Sequence, residues 1–238
     1  MSLDGEIEDG GIVRAECTRG HRATYVLTEP LFDLMFEFAC LALIGGYRRE
    51  AVVGFVTALE RFEEFCVRAV AHRLDVDPDA YVAAARGDMK HAERQHGAFL
   101  FSYLVALKRP FDTRPRQRVI TLRNSVAHGG VIPSYEEAHE SGETVMRIVH
   151  GVLLELFPGA ATNLEAASPL IRLLNRLEAE QRRRLQPGEC ARSWGRATVL
   201  SSRFPQLWCG NSFDQGLEML TVGRGFLHVV DLEGSGGA

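Results

Sequence analysis

The sequence LFDLMFEFACLALIGGYRREAVVGFVTALERFEEF, residues 31–65, predicts two amphipathic helices in succession. In its first part, apolar residues recur at helical spacing until Gly45-Gly46 stops the pattern. A second apolar stripe begins near Arg48 and continues to about Leu74, with most of the charged residues off it. Because long helices of this kind bury their stripes against other helices, the stretch favours a helical bundle.

The same periodicity continues downstream and extends the bundle to about residue 157. Asp77-Pro78 is typical of a helix start, Gly129-Gly130 of a helix end, and Ser134 followed by Glu137 of a capping box. The further predicted helices cover about residues 78–87, 91–107, 117–128, 134–157 and 168–184, and residues 108–115 are predicted as a loop rich in proline and arginine.

The sequence divides into three predicted regions. Residues 1–30 form an N-terminal arm, in which two β-like runs flank a turn at residues 18–21. Residues 31–160 form the helical bundle. Residues 161–238 form a C-terminal helix and a small β-rich extension, where residues 217–222 and 226–232 are predicted as a hairpin around a Gly-Arg-Gly turn. The predicted fold class is therefore mainly α, with small β-hairpin elements near both termini.

Composition excludes several classes of protein. With 46% hydrophobic and 24% charged residues among 238, the chain has the balance of a globular protein rather than a disordered or collagen-like one. A net charge of −4 argues against coating nucleic acid by bulk positive charge, although it allows a local basic patch. No apolar run approaches the length of a membrane span, and the first residues are acidic, so we expect neither a transmembrane helix nor a signal peptide.

Cysteine spacing gives no sign of a metal or disulfide framework. The five cysteines lie far apart, and no two have the C-x-x-C spacing of a zinc cage. Reduced thiols fit a cytoplasmic protein best, and we expect no metal or other cofactor. The cysteines are Cys17, Cys40, Cys66, Cys190 and Cys209.

Residues 122–130, LRNSVAHGG, place three polar side chains at the end of a predicted helix. At about 100° per residue, Asn124 and His128 share one face, and Arg123 lies to one side with a side chain long enough to reach the same space. Arg123 supplies a permanent cation for a phosphate, and His128 titrates near neutrality, so it can accept or donate a proton. The pair suits cleavage of RNA without a metal, because the neighbouring 2′-hydroxyl is the nucleophile.

This segment resembles the HEPN superfamily, whose signature is an arginine, a polar residue, a few more residues and then a histidine. The stretch GGYRREA at residues 45–51, followed by a long helix with Ala-Leu-Glu at residues 58–60, looks like the first helical pair of HEPN proteins. The motif, followed by PSYEEA at residues 133–138, looks like their later pair. The resemblance covers about residues 31–157.

The resemblance implies an antiparallel helical bundle that dimerises, so that two copies of the motif face each other across a shared cleft. HEPN proteins with an intact motif are commonly metal-independent endoribonucleases of toxin–antitoxin, anti-phage or CRISPR-associated defence, and their products end in a 2′,3′-cyclic phosphate and a 5′-hydroxyl. By this resemblance His128 is the general acid or base, Arg123 the ligand of the phosphate and transition state, and Asn124 a positioning group. Ser125 is a further candidate contact to phosphate, and Glu60 a candidate for orienting an arginine.

Two other functions compete with the nuclease. One is a non-catalytic HEPN module that binds RNA, a nucleotide or a protein partner within a larger complex. The other is a plain helical interaction protein, in which Arg123 and His128 are structural, Glu60 is a paired or solvated carboxylate and Ser125 is a small residue at a helix contact. The expected partners are RNA, a second copy of the chain and an antitoxin or defence-system protein, with no membrane.

Overall fold

The computed structural model of the chain describes residues 3–8, 11–87, 91–194, 198–201 and 212–222, which contain eight helices and four strands. None of these helices has the length and apolar character needed to cross a membrane. The strands are β1 (Leu3–Glu8), β2 (Ile12–Cys17), β3 (Arg22–Leu27) and β4 (Ala191–Trp194). The helices are α1 (Leu31–Ile44), α2 (Arg48–Arg73), α3 (Pro78–Gly87), α4 (Ala92–Leu107), α5 (Arg114–His128), α6 (Tyr135–Leu156), α7 (Leu164–Arg182) and α8 (Phe213–Val222).

Helix α2 is the central helix of the bundle, and α1, α4, α5 and α6 all pack against it. Its 26 residues span about 39 Å. The predicted apolar stripe is confirmed, since Val52, Phe55 and Leu59 are completely buried. Gly54 lets α1 come close, because a Cβ at that position would lie 2.9 Å from the Cβ of Ala39. The prediction of a mainly helical fold is thereby confirmed.

Most helix ends lie within about two residues of the predicted boundaries, and the larger differences are at the starts of α5 and α7. The capping box of α6 is present, with Ser134 Oγ accepting from the Glu137 amide at 3.1 Å and the Ser134 amide donating to Glu137 Oε2 at 2.7 Å. Helix α5 begins three residues before the predicted start, because Pro115 lies in its first turn, where a missing N–H costs little. Helix α7 begins before Pro169, because Asn163 Oδ1 accepts from the Glu165 amide and starts the helix there.

The strands form one sheet in the order β1-β2-β3-β4. The predicted N-terminal hairpin is confirmed by the antiparallel pairing of β2 with β3. Strand β1, which lies in the acidic first residues and was not predicted as a strand, adds to β2 through its backbone. Strand β4 comes from the C-terminal region and pairs in parallel with β3, and the Arg14 guanidinium donates to Glu189 Oε1 at 2.8 Å just before it.

The predicted C-terminal hairpin is wrong in its first half, since residues 217–222 belong to helix α8. Ser212 and Gln215 form a reciprocal pair at its start: Ser212 Oγ accepts from the Gln215 amide at 3.2 Å, and the Ser212 amide donates to Gln215 Oε1 at 2.7 Å. Phe213 and Leu217, one turn apart, are both buried in the bundle core, and the Phe213 ring contacts Phe55 edge-on. Residues 226–232, the predicted second strand, lie outside the described residues.

Candidate active site at the end of helix α5

Three arginine contacts fix α5 against α2, and the two helices run antiparallel. Residues late in α2 contact the start of α5, and residues early in α2 contact its end. Each contact uses a guanidinium, so the register of the interface is set by directional hydrogen bonds as well as by apolar packing. The contacts are Arg116 Nε to Glu63 Oε1 at 2.6 Å, Arg123 Nη2 to Glu60 Oε1 at 3.3 Å and Arg49 Nη2 to the Val126 carbonyl at 3.2 Å.

Arg123 lies at the edge of this interface. Its side chain is 24% exposed and that of Glu60 is 20% exposed. The hydrogen bond to Glu60 uses one of the five N–H groups of the guanidinium. The remaining donors are available for a second anion, and the carboxylate restricts where the guanidinium points.

Asn124 and His128 lie one turn apart and are both exposed. His128 is the last residue of α5, and the chain then turns at Gly129 and Gly130. Gly130 has a φ of +68°, in the left-handed region that favours glycine. The imidazole of His128 is open to solvent beside this turn.

Ser125 is engaged within α5. Its hydroxyl donates to the Thr121 carbonyl at 3.2 Å. Its own carbonyl accepts from the amides of Gly129 and Val131, at 3.0 and 3.2 Å, and so ends the helix. The backbone of Ser125 therefore shapes the loop after His128.

The structure brings Asn124 and His128 to one face and directs the Arg123 guanidinium toward α2. No hydrogen bond joins these three side chains to one another within the described part of a single chain. Two cavities of about 380 and 350 Å³ lie elsewhere in the molecule, and the motif occupies open surface. A site that encloses a ligand here therefore needs a second surface opposite α5.

Two neighbouring features were not assigned from the sequence. Arg49 brings an additional cation to the last turn of α5, and it belongs to the stretch at residues 45–51 that carried part of the resemblance. Large apolar side chains are also exposed in the segments just before α2, just after α5 and at the start of α6. They are Tyr47, Val131, Ile132 and Tyr135, exposed to 65, 44, 68 and 48%.

The described residues contain no group of three or more His, Cys, Asp or Glu side chains placed to hold a metal ion. Among the histidines, His96 contacts Glu63 with its Nδ1, 3.0 Å from Oε1. The four cysteines in this part of the chain are unpaired, and burial raises the pKa of Cys66.

Comparison of the chain with family models, with curated proteins and with solved structures finds no match. The resemblance to HEPN proteins rests on the motif and its helical frame.

Proposed function

We propose that the chain is a metal-independent endoribonuclease of the HEPN type, acting as a toxin or effector in prokaryotic defence. The observation that supports this most is the arrangement at the end of α5. There, an exposed histidine and asparagine share a face one turn apart, and an adjacent arginine is held by a carboxylate that leaves most of its donors unused. A cation with a fixed direction beside a solvent-open imidazole is what charge stabilisation and proton transfer at a phosphodiester require.

In the proposed reaction, the 2′-oxygen of a ribose attacks the adjacent phosphorus while His128 takes the proton of the 2′-hydroxyl. The bond between phosphorus and the 5′-oxygen breaks, and that oxygen receives a proton from an imidazolium. The products are a 2′,3′-cyclic phosphate and a 5′-hydroxyl, so no water and no oxidant is consumed. Arg123 neutralises the charge that develops on the phosphoryl oxygens, and Asn124 positions the substrate.

The active unit in this proposal is a dimer in which two α5 ends face each other. One histidine then acts as base and the other as acid, which a single motif cannot do in one step. The exposed apolar side chains around the motif, including Ile132 and Tyr135, support a protein surface at this place. A two-fold axis there also brings two Arg123 and two Arg49 side chains to one cleft, which favours a polyanion.

The proposal is tested by incubating the purified protein with a mixed RNA pool in excess EDTA and mapping the product ends. Wild type is expected to leave cyclic-phosphate ends, and His128→Ala and Arg123→Ala are expected to lose at least about 100-fold in rate. His91→Ala and Arg183→Ala serve as matched controls, because both side chains are exposed and lie outside the motif. Their rates are expected to stay within about twofold of wild type, since neither contacts the reacting groups.

A second function is favoured by the hydrogen bond between Arg123 and Glu60, which gives the arginine a partner within its own chain. In that case the protein is a non-catalytic module, and the exposed patch beside α5 binds RNA or a protein. Wild type then leaves the RNA pool intact with and without added metal. Loss of cleavage in the two controls to the same extent as in the motif variants would equally contradict the nuclease.

A further inference from the structure

A second site lies at the opposite end of α2, in the cavity of about 350 Å³ between the ends of α2 and α6 and the body of α7. Arg49 and His72 are 23 positions apart on α2, a distance of about 34 Å along the helix, so this cavity is separate from the α5 motif. Its size is within the range of small-molecule sites. Its floor and its rim differ in chemistry, and together they indicate the class of ligand that fits.

The floor of the cavity is apolar. It is formed by side chains of α2, the end of α6 and α7, among them Val70, Leu156 and Leu173, all buried. Phe157 and Pro169 complete the apolar surface. Such a floor favours a ligand with an apolar body, because covering it removes hydrocarbon from water on both partners.

The rim of the cavity is positively charged. Arg73, Arg172 and Arg176 are exposed at its edge, His72 lies beside them, and no residue that lines the cavity is acidic. Elsewhere in the described chain, arginines are commonly paired with carboxylates, as Arg182 is with Glu178. Within the described residues no carboxylate forms an ion pair with Arg73, Arg172 or Arg176, whereas His72 has Glu180 beside it, with Nε2 3.6 Å from Oε1.

Helix ends do not account for all of this charge. Arg73 stands in the last turn of α2, where a cation interacts favourably with the helix dipole. Arg172 and Arg176 stand in the interior of α7, where that stabilisation is absent. The positive charge also acts on His72. Its pKa is lowered mainly by burial and further by the nearby charges of Arg68 and Arg176.

We propose that this cavity binds a phosphomonoester carried on an apolar group, with the phosphate at Arg73, Arg172 and Arg176 and the apolar group on the floor. Phosphate is favoured over carboxylate because three guanidinium groups match an anion that carries between one and two charges and offers three oxygens. This site is independent of the proposed nuclease activity, since it shares no residue with the α5 motif.

Calorimetric titration with hexyl phosphate, inorganic phosphate and hexanol tests the proposal on the full chain. Hexyl phosphate is expected to bind at least about tenfold more tightly than either of the others, because only it engages both rim and floor. The double variant Arg172→Ala/Arg176→Ala is expected to lose at least about tenfold in affinity for hexyl phosphate. The matched control Arg19→Ala/Arg183→Ala removes two exposed arginines away from the cavity and is expected to bind as wild type does.

A vesicle flotation assay distinguishes a soluble phosphomonoester from a lipid headgroup. It uses phosphatidylcholine vesicles that contain or lack phosphatidic acid. Hexyl phosphate binding without vesicle retention identifies a soluble ligand, and retention that requires both phosphatidic acid and the rim arginines identifies a lipid. Equal affinity for hexyl phosphate and inorganic phosphate overturns the proposal, as does a double variant that binds like its control. Circular dichroism of each variant shows whether it remains folded, and the RNA cleavage assay is read separately.

Discussion

Two arginine–glutamate pairs join α2 to α5, and they differ in exposure rather than in chemistry. Arg116 and Glu63 are 10% and 2% exposed, with two hydrogen bonds of 2.6 and 3.2 Å, and His96 adds a contact to the same carboxylate. Arg123 and Glu60 are 24% and 20% exposed and share one hydrogen bond of 3.3 Å. The first pair is closed to ligands, and the second is open to them.

The difference separates a structural pair from a pair that can serve a site. A buried ion pair is costly to open, because a charge that is left unpaired there is out of reach of water. A partly exposed pair with one hydrogen bond loses little when a phosphate takes part of the guanidinium. The position of a residue along α5 therefore decides its role.

The largest expected effect on stability comes from breaking the buried pair. Arg116→Ala leaves the buried Glu63 carboxylate with the His96 contact alone and is expected to lower the free energy of unfolding by about 3–5 kcal/mol. Arg123→Ala is expected to lower it by only about 0.2–1 kcal/mol, since its partner reaches solvent. Urea titration at neutral pH measures the free energy of unfolding of both variants. Equal decreases would contradict the distinction between a structural pair and a pair that can serve a site.

Two histidines differ in the same way, since His150 of α6 is buried whereas His128 is exposed. Burial lowers the pKa of His150 below its usual 6.5, although its contact with the Leu200 carbonyl, at 2.9 Å from Nε2, opposes this. The unfolded chain therefore takes up the proton first as pH falls. The stability from neutral His150 is fully present above pH 6.5 and is lost as the pH decreases through its folded pKa, by at most about 1.4 kcal/mol per pH unit.

This prediction is checked by unfolding wild type and His150→Gln at several pH values between 5 and 8. The variant is expected to show the flatter profile, because Gln can keep a hydrogen bond to Leu200 without titrating. His72, whose pKa is also lowered, stays in both proteins, so the difference between the profiles isolates His150. Parallel profiles would mean that protonation of His150 does not contribute to the pH dependence of the free energy of unfolding.

Glu60→Gln is expected to have the smallest effect on stability. It is also the variant that most directly tests the role of Glu60 in the proposed function. The amide keeps an acceptor for Arg123 but removes the charge, so the free energy of unfolding is expected to change by less than about 1 kcal/mol. If Glu60 is a positioning residue for the proposed nuclease, the single-turnover cleavage rate falls by up to about 100-fold while KM changes little. An unchanged rate would assign the carboxylate a structural role alone.

The helices from α1 to α6 could be predicted because local signals agreed with the tertiary outcome. The diglycine after Ile44, the capping box at Ser134 and the apolar stripe of α2 each act within a few residues. Helix α8 shows the opposite case. Its β-branched end favoured a strand, whereas the Ser212–Gln215 pair and the burial of Phe213 and Leu217 at helical spacing stabilise a helix. The S-x-x-Q spacing is the local signal that would have found it.

The candidate site was only partly accessible from sequence. The shared face of Asn124 and His128 follows from helical geometry and needs no tertiary information. The hydrogen bonds from Arg123 to Glu60 and from Arg49 to Val126 depend on the register of α2 against α5, which no local pattern encodes. The same holds for the arginine rim, since Arg73 comes from α2 and Arg172 from α7.

The parallel pairing of β4 with β3 has a consequence for the order of assembly during synthesis. Thr24 finds its register partner Ala191 only after α1 to α7 have left the ribosome. Until then β3 is an open edge, and open edges recruit other strands. Strands β1 to β3 thus depend on the much later synthesis of β4 to cover this edge, and a nascent chain that pauses before residue 191 leaves it free to pair with other chains.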